Sequence, residues 1–199
     1  MTPRIRIATE QDAPGIAAIY VPLVEESAIS FETEAPTEAE IARRIGATLP
    51  RLPWLVSELD DSGGIAGYAY AGPHRERAAY RWSVEVSVYV DPHSQRRGVG
   101  LALYRSLLAV LSLQGFQNAY AAITLPNPAS EALHEAVGFR PLGIYNRVGY
   151  KLGAWHDVGW WQMALGTYPA QPAAPRALAE LRDSADCARA LAWGEAGLR

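Results

Sequence analysis

A chain of 199 residues that is 49% apolar and carries a net charge of −3 can build one buried core plus an appendage, and offers no broad positive field to nucleic acid or an anionic membrane. Its longest apolar runs fall far short of a membrane span, and Arg4 and Arg6 lead into a strand-like segment rather than the apolar centre of an export signal. The single cysteine, Cys187, cannot form an internal disulfide, so a reducing, cytoplasmic setting is expected.

Arg4 to Ala8 alternates polar and apolar residues and predicts a short strand. Thr9 with Asp12 marks a helix start, Pro14 is tolerable in the first turn, and Ile16, Ile19, Tyr20 and Leu23 follow at helical spacing. A polar loop, Ser30-Phe31-Glu32-Thr33-Glu34, surrounds one aromatic. Thr37 and Glu40 form a capping box for a second helix with Ile41, Ile45 and Leu49 on one face. Trp54 to Leu59 and Ile65 to Ala71 predict two strands joined by a hairpin turn over Asp60 to Gly64.

Tyr80 to Val90 is the longest strand signal. Tyr80, Trp82, Val84, Val86, Val88 and Val90 share one parity; Arg81, Ser83, Glu85, Ser87 and Tyr89 take the other. A helix is expected from Gly98 to Gln114, with Leu101, Tyr104, Leu108 and Leu111 inward and Gly115 as its stop. Ala119 to Leu125 predicts a strand and Ala129 to Val137 a short helix closed by Gly138. Gly143 to Lys151 and Val158 to Leu165 predict two last strands. This order suits an α/β fold, a mixed sheet covered by helices on both faces. From Thr167 the composition changes: Pro169, Pro172 and Pro175 form a linker, and an Ala-rich segment from Arg176 to Trp193 is expected to be helical, a dispensable or partly ordered tail rather than a functional lid. The division is therefore 1–166 for the main domain and 167–199 for linker and tail.

Between the long strand and the long helix lies Gln95-Arg96-Arg97-Gly98-Val99-Gly100. Strand, basic glycine loop and helix N-terminus together present several backbone N–H groups to one point, a pocket suited to a diphosphate. Gly98 and Gly100 leave room for an anion against the backbone. A Walker loop needs Lys-Ser/Thr after its last glycine, and Leu101-Ala102 stands there; a dinucleotide fingerprint needs a third glycine, and Leu103 holds that place. The bland alternative is a glycine turn before an amphipathic helix. His74, His93, His134 and His156 are scattered with no ligand spacing, so no metal is expected, and no Gly-x-Ser-x-Gly elbow supports a hydrolase triad.

Five collinear segments carry a resemblance: Tyr68-Ala-Tyr-Ala-Gly-Pro73, Trp82 to Val90, Gln95 to Gly100, Leu133-His-Glu-Ala-Val-Gly-Phe139, and Gly149-Tyr-Lys151 with Trp155-His-Asp-Val-Gly159. Over about residues 4 to 166 the chain resembles the phosphinothricin and methionine sulfoximine N-acetyltransferases of the GNAT superfamily. The resemblance implies a splayed, mostly antiparallel mixed sheet with acetyl-CoA wedged between the strand ending at Val90 and that ending near Leu125. It implies that the backbone of Val88, Tyr89 and Val90 pairs with the pantetheine amides, that Gln95, Arg96, Arg97, Gly98, Val99 and Gly100 cradle the pyrophosphate, and that Asn127 holds the pantetheine arm. A homodimer is implied too.

Direct acetyl transfer needs a base for the amine and stabilisation of the departing thiolate. Glu85, on the polar parity of an apolar strand, is the candidate base, as the resemblance implies; the alternative is an exposed strand carboxylate paired with Arg81 or another cation. His134 occupies the neighbourhood where related enzymes place an acid, with a structural hydrogen bond as its alternative; Tyr150 and His156 are weaker candidates. An anionic amino-acid acceptor needs fixed cations and an apolar wall, and Arg75 and Arg77 with Phe31 and Tyr80 fit that need. His74 stands where the relatives tend to carry tryptophan, which leaves the acceptor's side chain open. The other readings are acetylation of another small amine or a protein N-terminus, and an acyl-CoA-binding sensor without chemistry.

Overall fold

The computed structural model describes residues 4–58 and 64–196; the hairpin turn expected over 60–64 lies outside them except for Gly64. In chain order the elements are β1 (Arg4–Ile7), α1 (Ala13–Glu26), α2 (Glu38–Thr48), β2 (Trp54–Glu58), β3 (Ile65–Pro73), β4 (Ser83–Val90), α3 (Val99–Gln114), β5 (Asn118–Leu125), α4 (Pro128–Ala136), β6 (Arg140–Lys151), β7 (Ala154–Ala164) and α5 (Ala185–Glu195). The seven strands form one sheet in the order β1-β2-β3-β4-β5-β7-β6. Every pairing is antiparallel except β4 with β5. The α/β expectation and its mixed, splayed, mostly antiparallel sheet hold.

Strand alternation assigns the two faces. On β2, Leu55 joins the core under α3 whereas Trp54 and Val56 join the core under α1 and α2. On β3, Ala69 and Ala71 lie beneath α3, and Tyr68 lies beneath α1. Trp54, Tyr70 and Tyr68 stack in a ladder that continues to Tyr89. The helices α1 and α2 cover the β1–β4 half of their face and leave the β5–β7 half open.

Several elements differ from expectation at their edges. Ala78–Tyr80 is a 3-10 turn, and β4 begins at Ser83. Arg77 to Arg81 therefore face solvent rather than extending the strand. The last two strands start earlier than expected and form one long hairpin with its turn at Leu152 and Gly153, both at positive φ. Leu101 is only half-buried, and Val24 rather than Leu23 completes the inner face of α1.

The helix α3 is buried almost all round, from Val99 through Gln114. The sheet covers one side and the C-terminal segment the other. Leu178 and Cys187 are fully buried with Val110. Gly194 donates its N–H to Ser106 Oγ (3.2 Å), and Ser106 Oγ donates to Leu191 O (2.6 Å). Glu195 Oε1 accepts from the backbone N–H of Ile5 at the sheet edge (2.8 Å). Gln114 Nε2 donates to Arg51 O and Arg176 O, binding the linker down. The segment from 167 onward is thus docked on the domain.

Candidate active site

The pairing of β4 with β5 stops almost as soon as it starts. Only Ser83 with Asn118, Val84 with Ala119 and Glu85 with Tyr120 are in register. Beyond Glu85 the strands diverge, and Val86 to Val90 face β5 across a wedge. A narrow cavity of about 50 Å³ lies in it, lined by Ser87, Val88, Tyr89, Thr124, Asn127 and His134 among others. An open strand edge in a wedge is a surface on which an extended amide chain can pair as an added strand.

The wedge opens toward the loop before α3. Gln95, Arg96 and Arg97 are exposed. Arg96 (φ 60°) and Gly98 (φ 85°) take the left-handed conformation, and Gly98 caps α3 without any side-chain hydrogen bond to the helix N–H groups. Those donors are available to an anion, with two guanidinium groups beside them. Gly100 also has a packing role. It is buried, and a Cβ there would press on Leu133 Cδ2 at 2.9 Å, so its missing side chain lets α3 pack against α4. Val99 is buried too and offers only its backbone. Asn127 caps α4, its Oδ1 accepting from Ser130 N at 3.1 Å.

Two turns along α4, His134 is 4% exposed. Its Nδ1 lies 2.7 Å from Ser130 O and its Nε2 2.7 Å from Tyr104 Oη. A carbonyl only accepts, so Nδ1 carries the proton and Tyr104 donates to Nε2. Burial holds the imidazole below its ordinary pKa, partly offset by the Ser130 carbonyl. Burial likewise pushes the Tyr104 phenol up. Tyr104 had read only as an inward helix residue. It lines the wedge beside His134, and no periodicity distinguishes such a tyrosine from core.

At the apex of the wedge stands Glu85. Its Oε1 accepts from Arg75 Nη1 at 2.9 Å and lies 2.9 Å from His74 Nδ1. The cation paired with it is therefore Arg75 rather than Arg81. His74 stacks on Tyr120 (4.3 Å between centroids, 17°) and meets Tyr80 and Trp160 edge-on. The Arg75 guanidinium also lies over the Trp160 ring at 5.7 Å. His74, Arg75, Tyr120 and Trp160 line a cleft of about 300 Å³ with Leu142, Gly143, Ile144 and Tyr145. Arg77 caps the exposed 3-10 turn and makes no hydrogen bond or ion pair to these side chains among the described residues.

Phe31 lies on the loop between α1 and α2 and packs on the β6–β7 hairpin. Gly149 leaves a notch that the Phe31 ring fills, and Phe31 also meets His156 at 6.2 Å. The loop that carries it is tied down: Lys151 Nζ donates to Ser30 O (2.6 Å), Tyr20 Oη donates to Glu32 Oε1 (2.8 Å), and Arg44 Nη1 pairs with Glu32 (2.7 Å). His156 Nε2 is engaged with Lys151 O at 3.0 Å. These two residues brace the loop. No group of three or more His, Cys, Asp or Glu side chains able to hold a metal occurs among the described residues.

A strand-edge wedge, an anion-binding helix start at its mouth, and a carboxylate with an imidazole at its apex define an acyl-transfer class of site. The family model for the acetyltransferase (GNAT) domain matches residues 5–160. The chain belongs to the GNAT acetyltransferase family. It is 44% identical over 158 residues to phosphinothricin N-acetyltransferase of Streptomyces viridochromogenes, covering 79% of this chain and 85% of that one. It is 36% identical to the L-methionine sulfoximine/L-methionine sulfone acetyltransferase of Pseudomonas paraeruginosa, over 83% of this chain and 96% of that one. A GNAT superfamily phosphinothricin acetyltransferase from Sinorhizobium meliloti, solved in complex with AcCoA, superposes with a TM-score of 0.81 at 36% identity, over 87% of this chain and 94% of that one.

Proposed function

We propose that this protein transfers acetyl from acetyl-CoA to the amino group of a small amino-acid-like acceptor of the phosphinothricin, methionine sulfoximine or methionine sulfone type, within a ternary complex. The observation that carries the reading is the divergence of β4 from β5 immediately after Glu85. It opens a strand edge for the pantetheine arm, and the thioester then ends at the carboxylate. Val88, Tyr89 and Val90 pair with the arm through their backbone, Asn127 flanks it, and the backbone of 95–100 with Arg96 and Arg97 receives the pyrophosphate.

In the reaction the amine gives up a proton on the Glu85 side, and its nitrogen attacks the thioester carbonyl. The C–N bond forms, the C–S bond breaks, and the sulfur leaves as thiolate. His134 is the acid. From the imidazolium, the Nε2 proton passes to Tyr104 Oη while the phenol proton goes to sulfur, which the 2.7 Å contact permits. Burial keeps the resting imidazole neutral, so the ring carries its second proton only during turnover. Arg75, with Phe31 and Tyr80 as walls and Arg77 at the rim, receives the acceptor's anionic oxygens.

Two copies of the chain pair through β6. This strand is the sheet edge, and Leu142, Ile144, Tyr145, Val148 and Tyr150 on it are each more than half exposed, as is Trp155 on β7. A patch of that kind supports an interface between subunits. A cytoplasmic setting accords with the free, buried Cys187.

The test is thiol release from acetyl-CoA with phosphinothricin, methionine sulfoximine, methionine sulfone and ordinary amino acids. The first three are expected to give the highest kcat/KM, and Glu85→Gln to lower kcat about 100-fold or more with acetyl-CoA affinity kept. Absence of release with every amine would sink the reading.

A further inference from the structure

The placement of His74 is unlike that of a loop side chain. It follows directly on β3, where its backbone N–H reaches back to Ser83 O at 3.4 Å. Its side chain is only 14% exposed although the segment after it is open to solvent. The ring is clamped flat on Tyr120, with Tyr80 and Trp160 at its edges. One nitrogen, Nδ1, is 2.9 Å from Glu85 Oε1. The other, Nε2, has no hydrogen-bond partner among the described residues, and the ring lines the 300 Å³ cleft that Glu85 itself does not line.

A carboxylate only accepts, so the contact places a proton on Nδ1 and leaves Nε2 with a free lone pair. Tyr120 is the β5 residue in register with Glu85, so the stacked imidazole sits at the apex of the wedge, where the thioester ends. We propose that His74 is the group that takes the proton from the acceptor amine, through Nε2, with Glu85 orienting the ring and balancing the charge it acquires; it rests on the acetyl-transfer reading above. The acceptor arrives as an ammonium ion. Its first proton passes to Nε2, giving an imidazolium between the amine and the Glu85 carboxylate, and the neutral nitrogen attacks. The second proton leaves the nitrogen for solvent as the tetrahedral adduct collapses, and it replaces the one that sulfur draws through Tyr104 from His134. Two protons are then released from the nitrogen and one is taken up by sulfur, so one goes to solvent from His74 when product leaves.

The charged and titratable groups around the ring suit this. Glu85 of β4 faces Nδ1, Arg75 balances the same Glu85 oxygen, and the phenols of Tyr80 and Tyr120 and the indole of Trp160 bring no formal charge. Arg75 then has two partners, since an acceptor carboxylate or phosphinate in the cleft meets the guanidinium that holds Glu85. The cation that recognises the acceptor is the one that fixes the base.

The experiment uses His74→Phe, which keeps a flat ring on Tyr120, and His74→Ala, which leaves a hole. With phosphinothricin or methionine sulfoximine as acceptor, both variants are expected to lose about 100-fold in kcat/KM for the amine. Their acetyl-CoA affinity by calorimetry is expected to stay within about twofold, because no contact of His74 reaches the wedge mouth. Added imidazole is expected to restore His74→Ala, and 4-methylimidazole, the stronger base, to restore it further; neither is expected to restore His74→Phe. A packing role gives the opposite pattern, in which Phe retains the wild-type rate and free bases do nothing for Ala, and either half of that pattern overturns the proposal. Wild-type protein that releases no thiol with any amine instead removes the acetyl-transfer reading, and this assignment with it, before a His74 variant is made.

Discussion

Tyr104 Oη and His134 Nε2 lie 2.7 Å apart in a place neither shares with bulk solvent, Tyr104 being fully buried and His134 4% exposed. The phenol comes from the centre of α3 and the imidazole from the last turn of α4, so the hydrogen bond is also a strut between two helices. Burial lowers the His134 pKa in the folded protein. The unfolded chain then binds a proton more readily once the pH drops below the ordinary histidine value of about 6.5. Stability from this group is complete above that value and falls as the pH goes down toward the folded pKa, by at most about 1.4 kcal/mol per pH unit for one proton. Urea midpoints measured from pH 7.5 to 5.5 are expected to decline in the wild type and to decline less in His134→Gln. Identical slopes would show that the ring is not held neutral. Tyr104→Phe is expected to lower kcat about tenfold or more while leaving the KM for acetyl-CoA nearly unchanged, since it removes the proton path and no contact at the wedge mouth.

Arg75 and Arg77 looked equivalent two residues apart, and the fold separates them. Arg75 is fixed by Glu85 and Trp160 within the cleft, whereas Arg77 starts the exposed 3-10 turn. Arg75→Ala is therefore expected to raise the acceptor KM about tenfold or more, removing a charge-assisted contact worth about 1.5–3 kcal/mol. It should also lower kcat, because Glu85 loses its anchor. Arg77→Ala is expected to change the acceptor KM less than about threefold. Steady-state kinetics with the acceptor varied at saturating acetyl-CoA separates the two; equal effects would mean that the loop closes over the acceptor and brings Arg77 in.

The C-terminal helix sits close enough to α3 that no side chain fits between them at Gly194. A Cβ at that position would collide with the backbone oxygen of Ala102 and with Ser106 Oγ. Gly194→Ala is therefore expected to lower the unfolding midpoint by about 2 kcal/mol or more in stability. Ending the chain after residue 166 strips cover from Val110 and removes Leu178, Leu181 and Cys187 from the core. Each buried leucine contributes about 1.5–3 kcal/mol at most. The shortened chain is expected to lose several degrees of Tm or to aggregate. A truncated protein with unchanged Tm would show that α3 is stable without this cover.

The order of elements was legible because each had its own period and its own stop. Thr37 caps α2 as its spacing with Glu40 suggests, and Gly115 ends α3 in the left-handed conformation. The glycine loop was legible as well, since a turn at Gly98 announces itself in sequence. Glu85 stood out as a carboxylate on an apolar strand. What was not legible came from contacts between distant segments. The pairing of His74 with Glu85 depends on the β3–β4 register, in which Gly72 faces Glu85. The Tyr104–His134 bond joins residues 30 positions apart on different helices. The burial of α3 on both sides depends on a helix whose own pattern, Ala-rich with few large apolar residues, reads as a tail. The packing of Gly100 against Leu133 was not legible either, because a glycine in an anion loop and a glycine that permits helix packing leave the same letter in the sequence.

The open half of the sheet carries the last expectation. On β6, Leu142, Ile144, Tyr145, Val148 and Tyr150 face solvent, and the ladder to β7 is irregular between Tyr145 and Gly149, where Arg147 takes a positive φ and its N–H is held by Asp157 Oδ1 at 2.6 Å. Ile144 and Tyr145 also wall the cleft beside His74 and Arg75. An apolar edge of this length is costly to leave wet and invites a second strand. If two copies cover it, the cleft is completed by the same contact. Val148→Glu, which lies outside the cleft lining, is then expected to give a monomer by analytical ultracentrifugation at micromolar concentration and to raise the acceptor KM severalfold while acetyl-CoA still binds. A wild-type protein that sediments as a monomer at tens of micromolar would remove the interface. A monomeric Val148→Glu protein with unaltered acceptor KM would keep the interface and show that each cleft is complete within one chain.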